Sequence, residues 1–200
     1  MPKQFIYLSL SYIILLLSCN SKKQTVVESR ISEEKKSFFP VTDFIRGQLS
    51  ELDSLQVTPL KLISFGGKTD SVWIKREDIR KFASPFLTPV IDTVNLNFLF
   101  EEKSFLDQTI NAFTFSYDPI GPLPDTIRLR RWDVYVDPQK QLIKRIYLVK
   151  EEKNEGKVKT IQLTWLPGLW AKITTIPEGT DDPKLVKEEK VIWNFDKEQY

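Results

Sequence analysis

The chain's 200 residues are 41% hydrophobic and 12% aromatic, which is enough apolar material to bury one sizeable core. The 29 Lys and Arg nearly cancel the 27 Asp and Glu, so the electrostatic footprint of a nucleic-acid binder is missing and no nucleic-acid partner is expected. Histidine is absent and cysteine occurs once, which excludes Ser-His and Cys-His nucleophiles, removes the commonest metal ligand and rules out an intrachain disulfide; no cofactor is expected.

At the amino end Lys3 precedes an apolar run over residues 5–17. The run is roughly 13 residues, a signal-peptide length and short of the roughly 18–20 needed to span a bilayer. The stretch Leu16-Leu17-Ser18-Cys19 resembles the bacterial lipobox: aliphatic, variable, small, cysteine. The resemblance implies that residues 1–18 are a signal peptide, that the Cys19 thiol receives a diacylglyceryl group, and that the new amino end is acylated. A buried free cysteine in a plain helix is the alternative, and a lone cysteine at this spacing argues against it. Each buried methylene contributes about 0.8 kcal/mol and one acyl chain binds only reversibly, so two or three chains hold a protein on a membrane surface. No later stretch is long and apolar enough to span a membrane.

Residues 19–37 read as the lipidated cysteine and a flexible tether, polar and charged with too few apolar residues to bury. Its root-mean-square reach is on the order of 20–25 Å. Asn20 rather than aspartate follows the cysteine, which in the enterobacterial sorting pattern favours the outer membrane. Surface-exported lipoproteins of the Bacteroidota often carry an acidic cluster there, whereas this chain has Ser21-Lys22-Lys23. The expected position is therefore the periplasmic face of the outer membrane, although the basic pair reads equally well as a solvated linker.

Residues 38–200 read as a single domain. Thr42 or Asp43 can cap a first helix, with Ile45, Leu49, Leu52 and Leu55 at helical spacing. Residues 60–65 and 71–75 alternate like strands around the turn 66–70. A second helix is expected over residues 76–87, with Ile79, Phe82, Ala83 and Phe86 on one face and Pro85 ending or kinking it near Ala83. Residues 94–100 give the clearest alternation of all, with Val94, Leu96, Phe98 and Phe100 on one side. A strand over residues 109–117 and a proline-rich loop over 118–125 follow.

In the last third, Ile127 and Leu129 fall on odd positions and Trp132, Val134 and Val136 on even ones, so a β-bulge is expected at Arg130-Arg131 within the strand 126–136. Further strands are expected at residues 142–150, 158–166, 169–176 and 187–195, with turns between. The pattern predicts an α+β fold. A mostly antiparallel, bulged and curved sheet of about nine strands carries two N-terminal helices on one face.

Candidate chemistry is sparse. Paired carboxylates such as Glu101-Glu102 and Glu151-Glu152 lie among lysines, and neighbours in a strand point to opposite faces, so no metal site is expected. Arg128, Arg130, Arg131, Lys144 and Arg145 fall on two successive strands and could form a basic patch for an anionic partner. The plainer reading is an exposed face with partners such as Asp133 or the next strand's glutamates. Trp132, Trp165, Trp170 and Trp193 could line an apolar pocket if the sheet curls, or simply fill the core.

Phe86-Leu87-Thr88-Pro89, the stretch from Ser104 to Asn111, and the strand and turn from Trp132 to Pro138 resemble uncharacterised predicted lipoproteins of the Bacteroidota. The resemblance spans about residues 60–195 and implies no activity. The expected function is that of a lipid-anchored, non-enzymatic binding or scaffold module that recognises an envelope protein or other component through its sheet face. A carrier of a lipid or other hydrophobic ligand is the alternative, and a histidine-free hydrolase working through carboxylates is the third reading.

Overall fold

In the computed structural model the described residues are 37–154, 156–179 and 182–195. The expected signal peptide, Cys19 and the expected tether up to residue 36 lie outside them. Among the described residues are two helices, α1 (Val41–Ser54) and α2 (Arg76–Ala83). Nine strands accompany them: β1 (Leu60–Phe65), β2 (Lys68–Trp73), β3 (Phe100–Asp107), β4 (Ala112–Pro119), β5 (Leu129–Val136), β6 (Ile143–Asn154), β7 (Lys157–Leu166), β8 (Trp170–Pro177) and β9 (Lys187–Ile192). No helix among these residues is long and apolar enough to cross a membrane.

All nine strands belong to one sheet, ordered β2-β1-β9-β8-β7-β6-β5-β4-β3, with every neighbouring pair antiparallel. Strands β3 to β9 form a meander, each paired to the next. The β1–β2 hairpin adds to the outer side of β9, which puts β2 and β3 at opposite edges. Between them the chain must traverse the sheet. It does so through α2, a 3-10 turn at Ser84–Leu87 and residues 88–99.

That crossover and α1 supply the layer that covers one face. Val41, Ile45, Leu49 and Leu52 recur at three- and four-residue steps, so one stripe of α1 is buried. Across the sheet, Tyr117, Trp132, Leu148, Leu163 and Ile173 are direct register partners in sequence from β4 to β8 and therefore share a face. The two surfaces meet through Phe38, whose ring lies 5.0 Å from Tyr117 and 5.8 Å from Trp132, and through Phe86, 5.4 Å from Trp165. Fully burying each aliphatic or phenyl side chain in such a cluster contributes roughly 1.5–3 kcal/mol.

Thr42 is not the expected cap. It sits buried inside α1, where its backbone N–H donates to the Ile91 carbonyl at 3.1 Å and its Oγ1 accepts from the Ile91 N–H at 2.8 Å, tying the helix to the crossover. The other end of α1 is closed by Arg76, which donates to the Asp53 and Leu55 carbonyls at 2.7 and 2.9 Å. A cation at a helix carboxyl end satisfies orphan carbonyls and complements the dipole.

The expected strand at residues 94–100 does not form. Asp92 Oδ1 accepts from the backbone N–H of Val94 at 2.8 Å and of Asn95 at 2.7 Å, and Phe100 N–H donates to the Leu96 carbonyl at 3.1 Å. Short Asp and Asn side chains offer the backbone local partners that compete with a ladder. Leu96 is buried while Phe98 is exposed, and pairing begins only at Phe100.

The β1–β2 turn is also tighter than expected. Gly66 and Gly67 take φ of 63° and 75°, the left-handed pair of a two-residue type I′ turn, so β2 starts at Lys68. The register slips between Leu129 and Arg131, where a bulge is expected, and again between Tyr135 and Val136. Strands β6 and β7 extend to the pair Asn154 and Lys157, and Lys159 bridges its register partner Glu152 at 2.9 Å along that extension.

Candidate functional site

The second face of the sheet carries neither helix. Its central register line runs Ser116, Asp133, Tyr147, Thr164, Lys172 and Lys190 from β4 to β9, polar where the covered face is apolar. Asp133 is only 3% exposed. Its Oδ1 accepts from Arg131 Nε at 3.1 Å and its Oδ2 from the Tyr135 hydroxyl at 3.4 Å, so the buried charge is paired and hydrogen-bonded. Arg131 also donates to Ser116 Oγ at 3.3 Å and stands 3.8 Å from Asp118. Burial, and then the Asp133 charge, push the Tyr135 and Tyr147 phenols above their ordinary value. Both therefore remain protonated at neutral pH.

Beside this network lies a depression of about 700 Å³, within the roughly 300–1,000 Å³ range of small-molecule sites. Its apolar wall is Ile110, Ala112, Ile143, Leu166, Leu169 and Trp170. Tyr135 and Thr164 supply hydroxyls, and Lys144 and Arg145 supply positive charge. The Arg145 guanidinium stacks 4.0 Å from the centre of the Tyr135 ring, a cation–π contact that orients the group without neutralising it. Lys144 donates to the Ile110 and Asn111 carbonyls at 3.0 and 3.4 Å. Neither cation has a carboxylate within ion-pair distance among the described residues.

The five basic residues singled out in the sequence therefore do not form one patch. Arg130 pairs with Glu151 at 3.1 Å and Arg128 lies 3.7 Å from Glu152, Arg131 joins the Asp133 network, and Lys144 and Arg145 border the depression. The physical cause is pairing, since carboxylates engage the three arginines of the Arg128 to Arg131 stretch and leave Lys144 and Arg145 apart at the depression.

The four tryptophans do not share a cavity either. Trp132, Trp165 and Trp193 are buried in the core, with Trp132 stacked on Tyr117 at 4.5 Å and Trp165 5.2 Å from Trp193. Trp165 is the register partner of Ala171, so the adjacent Trp170 projects from the opposite face and lines the depression. Cys19, the residue expected to carry the lipid, lies outside the described residues.

Sequence reasoning missed Lys150. It is 6% exposed, on the covered face in phase with Ile146 and Leu148, and its Nζ donates to the Pro85 and Thr88 carbonyls of the crossover. Burial lowers its amine from 10.5 to about 8; the Glu152 charge opposes that shift and Arg128 adds to it. A lysine falling on the apolar phase of a strand was the available signal. It borders a depression of about 660 Å³ in which Arg128 and Lys150 are matched by Glu152 and Glu189. No group of three carboxylate or thiol side chains among the described residues is placed to hold a metal ion. Comparison with protein-family models, with curated proteins and with solved structures returns no match to the chain.

Proposed function

We propose that this chain is a lipid-anchored, non-enzymatic binding module of the bacterial envelope, held at the periplasmic face of the outer membrane by Cys19, and that the helix-free face of its sheet is the binding surface. The observation that carries the reading is the asymmetry between the two faces. One face is packed against α1, the crossover and the buried indoles, and the depressions at its margin hold carboxylates, while the other keeps hydroxyls, cations and an aromatic-walled depression without a carboxylate. The depression contains no carboxylate, and Asp133 beside it is engaged by Arg131 and Tyr135, which leaves no acid–base pair of the glycosidase kind there.

The sheet curls around this face. Thr114, Ser116 and Asp133 are almost wholly buried on a side with no helix, and on a flat sheet such positions would meet water. Curvature that leans neighbouring side chains over them accounts for the burial. A concave face with a half-open depression of about 700 Å³ suits a small ligand better than a flat protein partner, which favours the carrier reading over a scaffold.

Two measurements test the proposal. Amide chemical-shift mapping with an extract of envelope lipids and metabolites should perturb β5 to β8 on the helix-free side; perturbations confined to α1 and α2, or none, would overturn it. Substituting Cys19→Ala should move the protein from the membrane to the soluble fraction, and an acylated membrane pool of the variant would refute the anchor.

A further inference from the structure

The geometry points to a single-chain amphipathic anion, such as a fatty carboxylate, as the ligand class of the helix-free depression. The inference rests on the binding-module reading and goes beyond it by naming the chemistry. Three other depressions each include a carboxylate: Glu51 in one, Glu152 and Glu189 in the second, Asp78 and Glu189 in the third. The site under Trp170 has none, while Lys144 and Arg145 stand at its border without an ion-pair partner among the described residues. It is therefore the depression whose lining carries positive charge and no carboxylate.

Charge alone would suit any anion, but the remaining wall is apolar. Ile143, Leu166, Leu169 and Trp170 line the space beside the cations, so a ligand that satisfies the whole site has an anionic head and a hydrocarbon body. Arg145 is suited to the head. Its fork of donors matches a carboxylate or phosphate, its charge persists at all relevant pH values, and stacking on Tyr135 at 4.0 Å holds it in place before a ligand arrives. Lys144 uses two of its three N–H groups on the Ile110 and Asn111 carbonyls and keeps one for the ligand. Nearby, Lys190 sits 4.5 Å over the Trp170 ring, which fixes the indole that would cover the chain.

The test uses the whole chain carrying Cys19→Ala, so that the protein's own acyl groups cannot occupy the site. Dodecanoate, dodecanol and acetate are titrated by calorimetry, and 12-bromododecanoate is used to quench tryptophan emission. Dodecanoate should bind saturably, with dodecanol at least tenfold weaker and acetate silent. Arg145→Gln should weaken dodecanoate at least tenfold and leave dodecanol unchanged. Trp170→Phe, which keeps the wall, should retain binding and lose most of the quenching, because the other buried indoles are out of reach. Equal affinity for dodecanoate and dodecanol, or an Arg145→Gln variant that binds dodecanoate normally, would overturn the anion assignment. Binding to phosphatidylglycerol vesicles that excess dodecanoate does not displace would overturn it as well, by placing the charge recognition on a lipid surface. Should none of the probes bind while envelope extract still perturbs β5 to β8, the inference fails and the binding-module reading stands.

Discussion

Lys150 shows how one side chain can join two layers at an electrostatic cost. Its ammonium is taken from water and set against two backbone carbonyls of the crossover, and burial lowers its affinity for a proton to a pKa of about 8 against 10.5. The unfolded chain then holds this proton more tightly than the folded one. Below about pH 8 both states are protonated and stability is at its lower level, while between about 8 and 10 the folded amine alone is neutral, so stability rises with pH. The neutral amine still has two N–H groups for its two acceptors. Above about 10 the trend reverses, because burial holds the Tyr117, Tyr135 and Tyr147 phenols protonated in the fold while unfolded tyrosines ionise. Urea midpoints at pH 7.5 and 9.5 should therefore differ in favour of the higher pH in the native sequence, and Lys150→Met should abolish that difference. A Lys150→Met variant with the same pH slope would show the proton to reside elsewhere.

At the scale of the element, residues 92–100 and the bulge in β5 make opposite points. Asp92 alone answers two backbone N–H groups, so Asp92→Ala should lower stability by removing the side chain that holds this turn. Asp92→Asn should recover part of that loss, with denaturant midpoints as the readout. The hydrophobic alternation of Val94, Leu96, Phe98 and Phe100 suggests a strand, and the polar residues between them prevent one. Alternation reports which side chains want burial; it does not report where the backbone hydrogen bonds go. The β5 bulge was legible because the slip from odd to even apolar positions is itself the signal, and the register breaks there. The stripe of α1 and the end of α2 before Pro85 were legible for the same reason, each being a local pattern with a local cause. The candidate site was less so. Trp170, Lys144 and Arg145 stand out in the sequence, but grouping them requires knowing which face each strand residue takes, and Tyr135 gives no local sign that it stacks on Arg145.

Across the whole molecule, the long sheet has two edges and both carry charge. On β2 these are Lys68 and Asp70, and on β3 Glu101, Glu102 and Lys103, which discourages pairing with another chain despite the exposed Trp73 at one end. The sheet is held together at β9, which pairs with β8 on one side and β1 on the other. A chain ending at residue 182 should therefore lose hydrogen-exchange protection in β1 and β2 as well as β8, while β4 to β6 keep theirs. Protection of β1 unaffected by the truncation would show that α1 and α2 suffice to hold the hairpin.

The position of β9 also sets an order in time. Residues 60–73 are made before the meander and their strand partner, residues 187–192, after every other described strand, so a chain emerging amino end first carries an exposed hairpin until β9 appears. The meander from β3 onward can pair as it is made, each strand finding its neighbour within a few residues, whereas closing β1 on β9 spans most of the domain and is the step that pays the largest loop-closure entropy. The hairpin's exposed Phe65 and Trp73 are thus the surface most open to premature association during that interval. A chain with this topology is closed in one late step, in which the last of its described strands fastens the first.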